Sequence, residues 1–124
     1  MIRLPGVVFP LTIFACFAVT SAAQAQDAGE AVFKRYCAVC HTVEAGKNKI
    51  GPSLAGIVGR KAGSVPGFSY TDANKNSGVT WDEKNLDTYL TDPKKFVPGT
   101  KMLFAGVKSE DDRKALIAYL AQQK

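Results

Sequence analysis

Cys37-Ala38-Val39-Cys40-His41 is the stretch on which the fold turns. On a helix, positions i, i+3 and i+4 share one face, so this spacing sets two thiols and an imidazole on the same side. C-x-x-C-H is the spacing at which two cysteines attach a c-type haem: each sulfur adds to one vinyl group, and the histidine reaches the iron as proximal ligand. Three rivals use the same residues. Zinc needs four ligands, and no second cluster completes the set. A thioredoxin-like redox pair expects a βαβ pattern, which the chain lacks. A local structural disulfide between Cys37 and Cys40 stays open beside the haem reading.

Around the motif, the scarce side chains limit the chain most. Its 124 residues hold one histidine, two methionines, three cysteines and one tryptophan, which excludes most catalytic metal sites and any multi-disulfide scaffold. The length suits one domain, and a net charge of +5 makes it moderately basic. Residues 1–25 read as a secretory signal: Arg3 supplies the positive start, 7–19 the apolar run, and Ala23-Gln24-Ala25 a small-residue end with cleavage after Ala25. An uncleaved membrane anchor is opposed by Pro10 and by a run shorter than the ~20 apolar residues that span a bilayer. Lipidation at Cys16 is opposed by bulky Phe14. Residues 26–124 form the domain, which retains His41, Met102, Cys37 and Cys40 as its only residues of those types. A core of that size gains from a large apolar group bound inside it.

Three helical patterns stand out in the domain, with no strand alternation and no repeat. The first covers about 28–40, with Val32, Phe33, Tyr36, Cys37 and Cys40 at spacings of three and four. The second follows Trp81, where Asp82 caps a helix bearing Leu86, Tyr89 and Leu90. The third opens at Ser109 with Glu110, Asp111 and Asp112 in its first turn and a stripe of Leu116, Tyr119 and Leu120. Between them, 46–78 and 93–106 are long glycine-rich loops, uncommon in a compact domain unless something fills the middle.

The stretches CAVCHTVEAG, GPSLAGIVGRKAG, PGFSYTDANKNSGVTW, YLTDPKKFVPGTKM, FAGVK and ALIAYL follow one another from Gly29 to about Leu120. In that order they resemble class I cytochrome c, the mitochondrial protein and the bacterial c2 cytochromes. The resemblance implies an all-α cytochrome c fold, three to five helices wrapped around one covalently bound haem c with its iron. Met102 is the only soft neutral donor left to face His41 across the iron, and Pro98-Gly99-Thr100-Lys101-Met102 presents it from a loop rather than from an apolar helix stripe. The resemblance implies that it is the second axial ligand.

Further roles come from the resemblance. Pro52 offers its carbonyl to the imidazole of His41. Arg60, Tyr70, Asn74 and Trp81 serve the haem propionates, directly or through water. Tyr89 and Thr100 stand near the methionine sulfur and a propionate, and Phe104 shields the haem edge. Gly29 and Phe33 cross Leu116 and Tyr119 where the first and last helices meet.

With both axial positions filled, the iron has no open site for substrate, and the remaining chemistry is the gain and loss of one electron. The expected function is a monomeric, non-enzymatic carrier in a bacterial periplasm. Its implied donor is a cytochrome bc1-type quinol-oxidising complex, and its implied acceptor a terminal oxidase or a photosynthetic reaction centre. The alternative from another class is a haem enzyme or gas or redox sensor, peroxidase-like, in which Met102 leaves the iron. Lys34, Lys47, Lys49, Lys94, Lys95, Lys101 and Lys108 fall in segments that ring the haem edge in the family and would steer acidic partners. No basic run exceeds two residues, which gives nucleic acid no footprint. Tyr36 and Ser109 stand where the animal mitochondrial protein has lysines, which weighs against strong binding to a mitochondrial-type oxidase.

Overall fold

The computed structural model of the protein describes Gly6 and residues 21–124. The apolar run and Cys16 of the expected leader therefore lie outside the described residues. Five helices occur in chain order: α1 Ser21–Tyr36, α2 Asp72–Lys75, α3 Glu83–Thr91, α4 Pro93–Phe96 and α5 Glu110–Ala121. Among the described residues there is no strand; a single antiparallel bridge pairs Lys61 with Thr80. The fold is all-α, as expected.

Short polar side chains begin four of the helices. Thr71, Asp82, Asp92 and Ser109 each accept a backbone N–H from the first turn of α2, α3, α4 and α5, satisfying a donor the helix itself leaves unpaired. Pro93 at the start of α4 lacks an N–H that would otherwise have no partner. The three acids opening α5 sit at the positive end of its dipole.

α1 and α5 form the principal crossing. Gly29 is buried there, and a Cβ in its place would run into the carbonyl of Ala115 and the side chain of Tyr119. The missing side chain lets the two backbones approach, and Phe33 packs on Tyr119 with ring centroids 5.8 Å apart. Leu116 and Leu120 of α5 and Leu86 and Leu90 of α3 extend this core. Gly106 is obligatory for a different reason. Its φ of 109° belongs to the left-handed region, and a Cβ would meet the carbonyls of Leu90 and Thr91.

α1 differs from the expected 28–40 at both ends. Within the described residues it runs from Ser21, through a stretch whose exposed residues carry no apolar stripe but whose alanines favour helix. It ends at Tyr36 because the Phe33 carbonyl accepts both Cys37 N at 2.8 Å and Ala38 N at 3.0 Å, which displaces the ladder by one residue. A separate turn then carries the motif, closed by His41 N donating to Cys37 O at 2.8 Å. Cys37, Cys40 and His41 thus keep the relation of one helical turn without belonging to the helix.

Candidate functional site

The segments between the helices wrap a cavity of about 400 Å³. That is within the roughly 300–1,000 Å³ of pockets that hold a small molecule or cofactor. Its lining is mostly apolar, with Leu54, Ile57, Leu86, Leu90, Leu116 and Leu120 among its walls. The twelve residues that the sequence reading placed around the haem all line it: Cys37, Cys40, His41, Pro52, Arg60, Tyr70, Asn74, Trp81, Tyr89, Thr100, Met102 and Phe104.

Both cysteines are free, Cys37 buried and Cys40 half-buried. Burial, and to a lesser degree the neighbouring Cys40, pushes the Cys37 thiol up to about 11. A thiol held protonated at neutral pH does not suit a reactive redox pair.

His41 is fixed by its surroundings. Its Nδ1 lies 2.7 Å from the carbonyl oxygen of Pro52, and since a carbonyl only accepts, Nδ1 carries the proton and Nε2 keeps its lone pair. A Cβ on Gly51 would strike the imidazole ring, so the backbone before Pro52 closes on it as only glycine allows. Burial lowers the pKa of His41; the bond to Pro52 opposes this in part, and the charges of Arg60 and Lys49 add to the lowering. The imidazole is neutral at pH 7 with one nitrogen to give, the state a metal ligand needs.

Met102 reaches the same cavity from the loop after α4. Its amide N donates to Thr100 Oγ1 at 3.3 Å, and Tyr89 Oη donates to its Sδ at 3.5 Å. Tyr89 is buried, which pushes its phenol up to about 12, against the opposing effect of a hydrogen bond with Thr100. The ring of Tyr89 packs tilted against Trp81, with centroids 4.6 Å apart. A neutral imidazole nitrogen, a thioether and two thiols on one apolar cavity are a donor set that fits an apolar macrocycle carrying a soft metal centre.

The polar residues are engaged unequally. Arg60 Nη1 donates to Ser53 O at 2.8 Å and Nη2 to Ala55 O, which anchors its guanidinium at the wall. Tyr70 Oη accepts from Val65 N at 3.1 Å and keeps its own proton to donate. The segment bearing Arg60 is tied to that bearing Trp81 by Gly59 N to Trp81 O and Trp81 N to Arg60 O, both 2.8 Å. Phe104 stands at the mouth with its ring 6.0 Å from that of Tyr36.

Several lining residues were not foreseen. Gly51 carries a signal in being the residue before the carbonyl that holds His41. Phe68 lines another wall, where Lys101, foreseen only for docking, holds its ammonium 4.9 Å from the Phe68 ring centroid and donates to Ser69 O. Ile50 and Leu103 line the mouth at 74% and 93% exposure, apolar side chains amid polar loop sequence.

The seven lysines proposed for docking are all exposed. Lys34 pairs with Glu30 at 2.6 Å and Lys47 with Glu44. Lys49 donates to Ala38 O at 2.7 Å, while Lys108 donates to Thr91 O at 2.8 Å and Ala105 O at 2.9 Å. Lys94 and Lys95 of α4 form no ion pair among the described residues.

Comparison with known proteins places this geometry. The family described as Cytochrome c matches residues 26–124. Cytochrome c2 of Blastochloris viridis is 52% identical over 116 residues, covering 93% of this chain and 91% of that protein. Cytochrome c2 iso-2 of Magnetospirillum molischianum is 58% identical over 88 residues, 71% of this chain and 91% of that protein. Cytochrome c of Gibberella zeae is 59% identical over 93 residues, 74% and 88% of the two chains.

Proposed function

The chain belongs to the cytochrome c family, an electron carrier with one covalently attached haem c and not an enzyme, and from that premise we propose that it shuttles single electrons in a bacterial periplasm. The donor is a cytochrome bc1-type quinol-oxidising complex, and the acceptor a terminal oxidase or a photosynthetic reaction centre. Residues 1–25 direct export and are removed after Ala25, leaving 26–124 as the working domain. In the described residues no helix is long and apolar enough to cross a membrane.

The observation that carries this proposal is the pairing of a neutral imidazole, oriented by Pro52, with a thioether hydrogen-bonded by Tyr89, on the one cavity that also receives Cys37 and Cys40. When bound, the haem supplies a one-electron iron couple. Cys37 and Cys40 tether it, so that it is retained outside the cell. His41 and Met102 would hold its iron and leave oxygen or peroxide no site to enter. A thioether favours the reduced metal, which raises the potential. Arg60, Tyr70, Asn74 and Trp81 would meet the propionates, and the leucine walls would keep water from the group.

Docking takes place at the mouth. Of the four exposed large apolar side chains among the described residues, Tyr36, Ile50 and Leu103 line the cavity, and Val39 lies within the attachment motif. Ringed by the lysines, this face suits a small, short-lived encounter of under roughly 1,200 Å². The test is carbon monoxide added to the ferrous protein, followed by turnover with quinol-oxidising membranes at low and high salt. The proposal expects no carbon monoxide complex and a rate that falls with salt. Ready binding of carbon monoxide would assign the protein instead to ligand chemistry.

A further inference from the structure

We propose that Arg113, on α5 and outside the cavity lining, is a positioning residue for Met102. The inference rests on Met102 being the second axial ligand. Met102 lies in the stretch between α4 and α5, where helix ladders do not hold the chain. On its N-terminal side the stretch is fixed by Thr100 N donating to Val97 O at 3.1 Å. Among the described residues, none of the N–H groups of Leu103, Phe104, Ala105 and Gly106 donates to a backbone carbonyl. The next fixed point is Val107, whose N donates to Leu90 O at 2.7 Å and which is 1% exposed.

Arg113 holds that second point. Its Nη1 donates to Val107 O at 3.0 Å and to Lys108 O at 3.1 Å, and its Nε to Asp87 Oδ1 on α3 at 2.8 Å. The Arg113 side chain is 11% exposed, so its bond to Val107 O is part-buried, while Asp87 at 47% and the bond to Lys108 O face solvent. One guanidinium therefore ties α3, α5 and the root of the methionine-bearing stretch together, a geometry its planar fork can satisfy and a lysine cannot. Lys108 closes the same root from outside through Thr91 O and Ala105 O.

A segment held at two points opens locally when either is weakened, below the cost of global unfolding. The affinity of an added iron ligand then rises with the fraction of open molecules. Losing the fork, with water and the substituted side chain replacing part of its bonding, should raise that fraction by roughly tenfold, the equivalent of about 1.4 kcal/mol.

The experiment titrates imidazole into the ferric holoprotein, reading loss of the methionine-sulfur absorption band, alongside denaturant unfolding of each variant. Arg113→Gln should bind imidazole about tenfold more tightly and Asp87→Asn about threefold, with Arg113→Lys between wild type and Arg113→Gln. Phe33→Leu, at the α1–α5 crossing, lowers global stability without touching the root and should leave the affinity unchanged. Wild-type affinity in both Arg113→Gln and Asp87→Asn would overturn the proposal, as would an equal rise in Phe33→Leu at matched stability. If Arg113→Gln fails to fold, Asp87→Asn decides alone. A wild-type protein without the methionine band would overturn the ligation on which the inference rests, a result distinct from unchanged affinity in variants that show the band.

Discussion

Tyr89 presents the sharpest chemistry held by one side chain, a hydroxyl donated to Met102 Sδ at 3.5 Å. Burial raises the phenol from its ordinary 10.0 to about 12, so the donor persists through neutral and mildly alkaline pH. A raised acid pKa means that the fold favours the neutral phenol. That contribution is complete below pH 10 and is lost as pH climbs from 10 towards 12. Tyr89→Phe leaves the sulfur more electron-rich and should lower the potential by roughly 20–60 mV, the scale of part of one hydrogen bond. Spectroelectrochemical titration reads this, and an unchanged potential would show that the hydroxyl does not act on the sulfur. His41 works in the opposite pH direction. Burial lowers its pKa below the ordinary 6.5, so the fold favours neutral imidazole, and that stability is present above 6.5 and lost as pH falls through the depressed value. An acid titration followed by visible absorption should be flat from pH 7 to pH 6.5, because burial disfavours the imidazolium and the iron would hold the same nitrogen against the proton. A break above that value would mean His41 is not held neutral. Residues that act through what they carry were legible in the sequence, because thiol, imidazole and thioether each occur so rarely. Gly51 was not, since its role is the absence of a side chain against the His41 ring.

α3 and α5 could be read from the chain because a capping side chain and an apolar stripe agree at Asp82 and at Ser109. α2 and α4 could not: each has four residues, too few for a period to show, and each depends on a local cap. The ends of α1 were misplaced because apolar spacing marks what is buried, whereas its first turns are exposed and its last is cut short by the shared Phe33 carbonyl. The α1–α5 crossing turns on Gly29. Gly29→Ala gains up to about 1 kcal/mol of helix propensity but drives a methyl into the Ala115 carbonyl and Tyr119, and overpacking of that kind costs about 1–3 kcal/mol. The net expectation is a loss of about 1–2 kcal/mol in denaturant unfolding of the holoprotein. A gain would mean that the two helices separate without cost.

The molecule sets an apolar cavity beneath a mouth that carries most of the exposed large apolar side chains among the described residues. Net charge can be counted along the chain, but the count does not reveal which lysines are already engaged. Five of the seven proposed for docking hold an acid or a carbonyl within the chain, leaving Lys94 and Lys95 on α4. Lys94→Gln with Lys95→Gln should slow reduction by a quinol-oxidising complex roughly three- to tenfold at low ionic strength and little at high, because steering fades within a Debye length of about 3 Å at 1 M salt. Stopped-flow rates across a salt series measure this, and an equal slowing at every salt concentration would indicate lost contact rather than lost steering. At the same scale, the claim that unites cavity, ligands and function is that His41 and Met102 close the iron to everything but an electron. The most direct measurement is the visible spectrum of the ferric protein beside that of Met102→Ala. The methionine-sulfur charge-transfer band should be present in the wild type and absent from the variant. A band missing from the wild type, or surviving in Met102→Ala, would contradict the account.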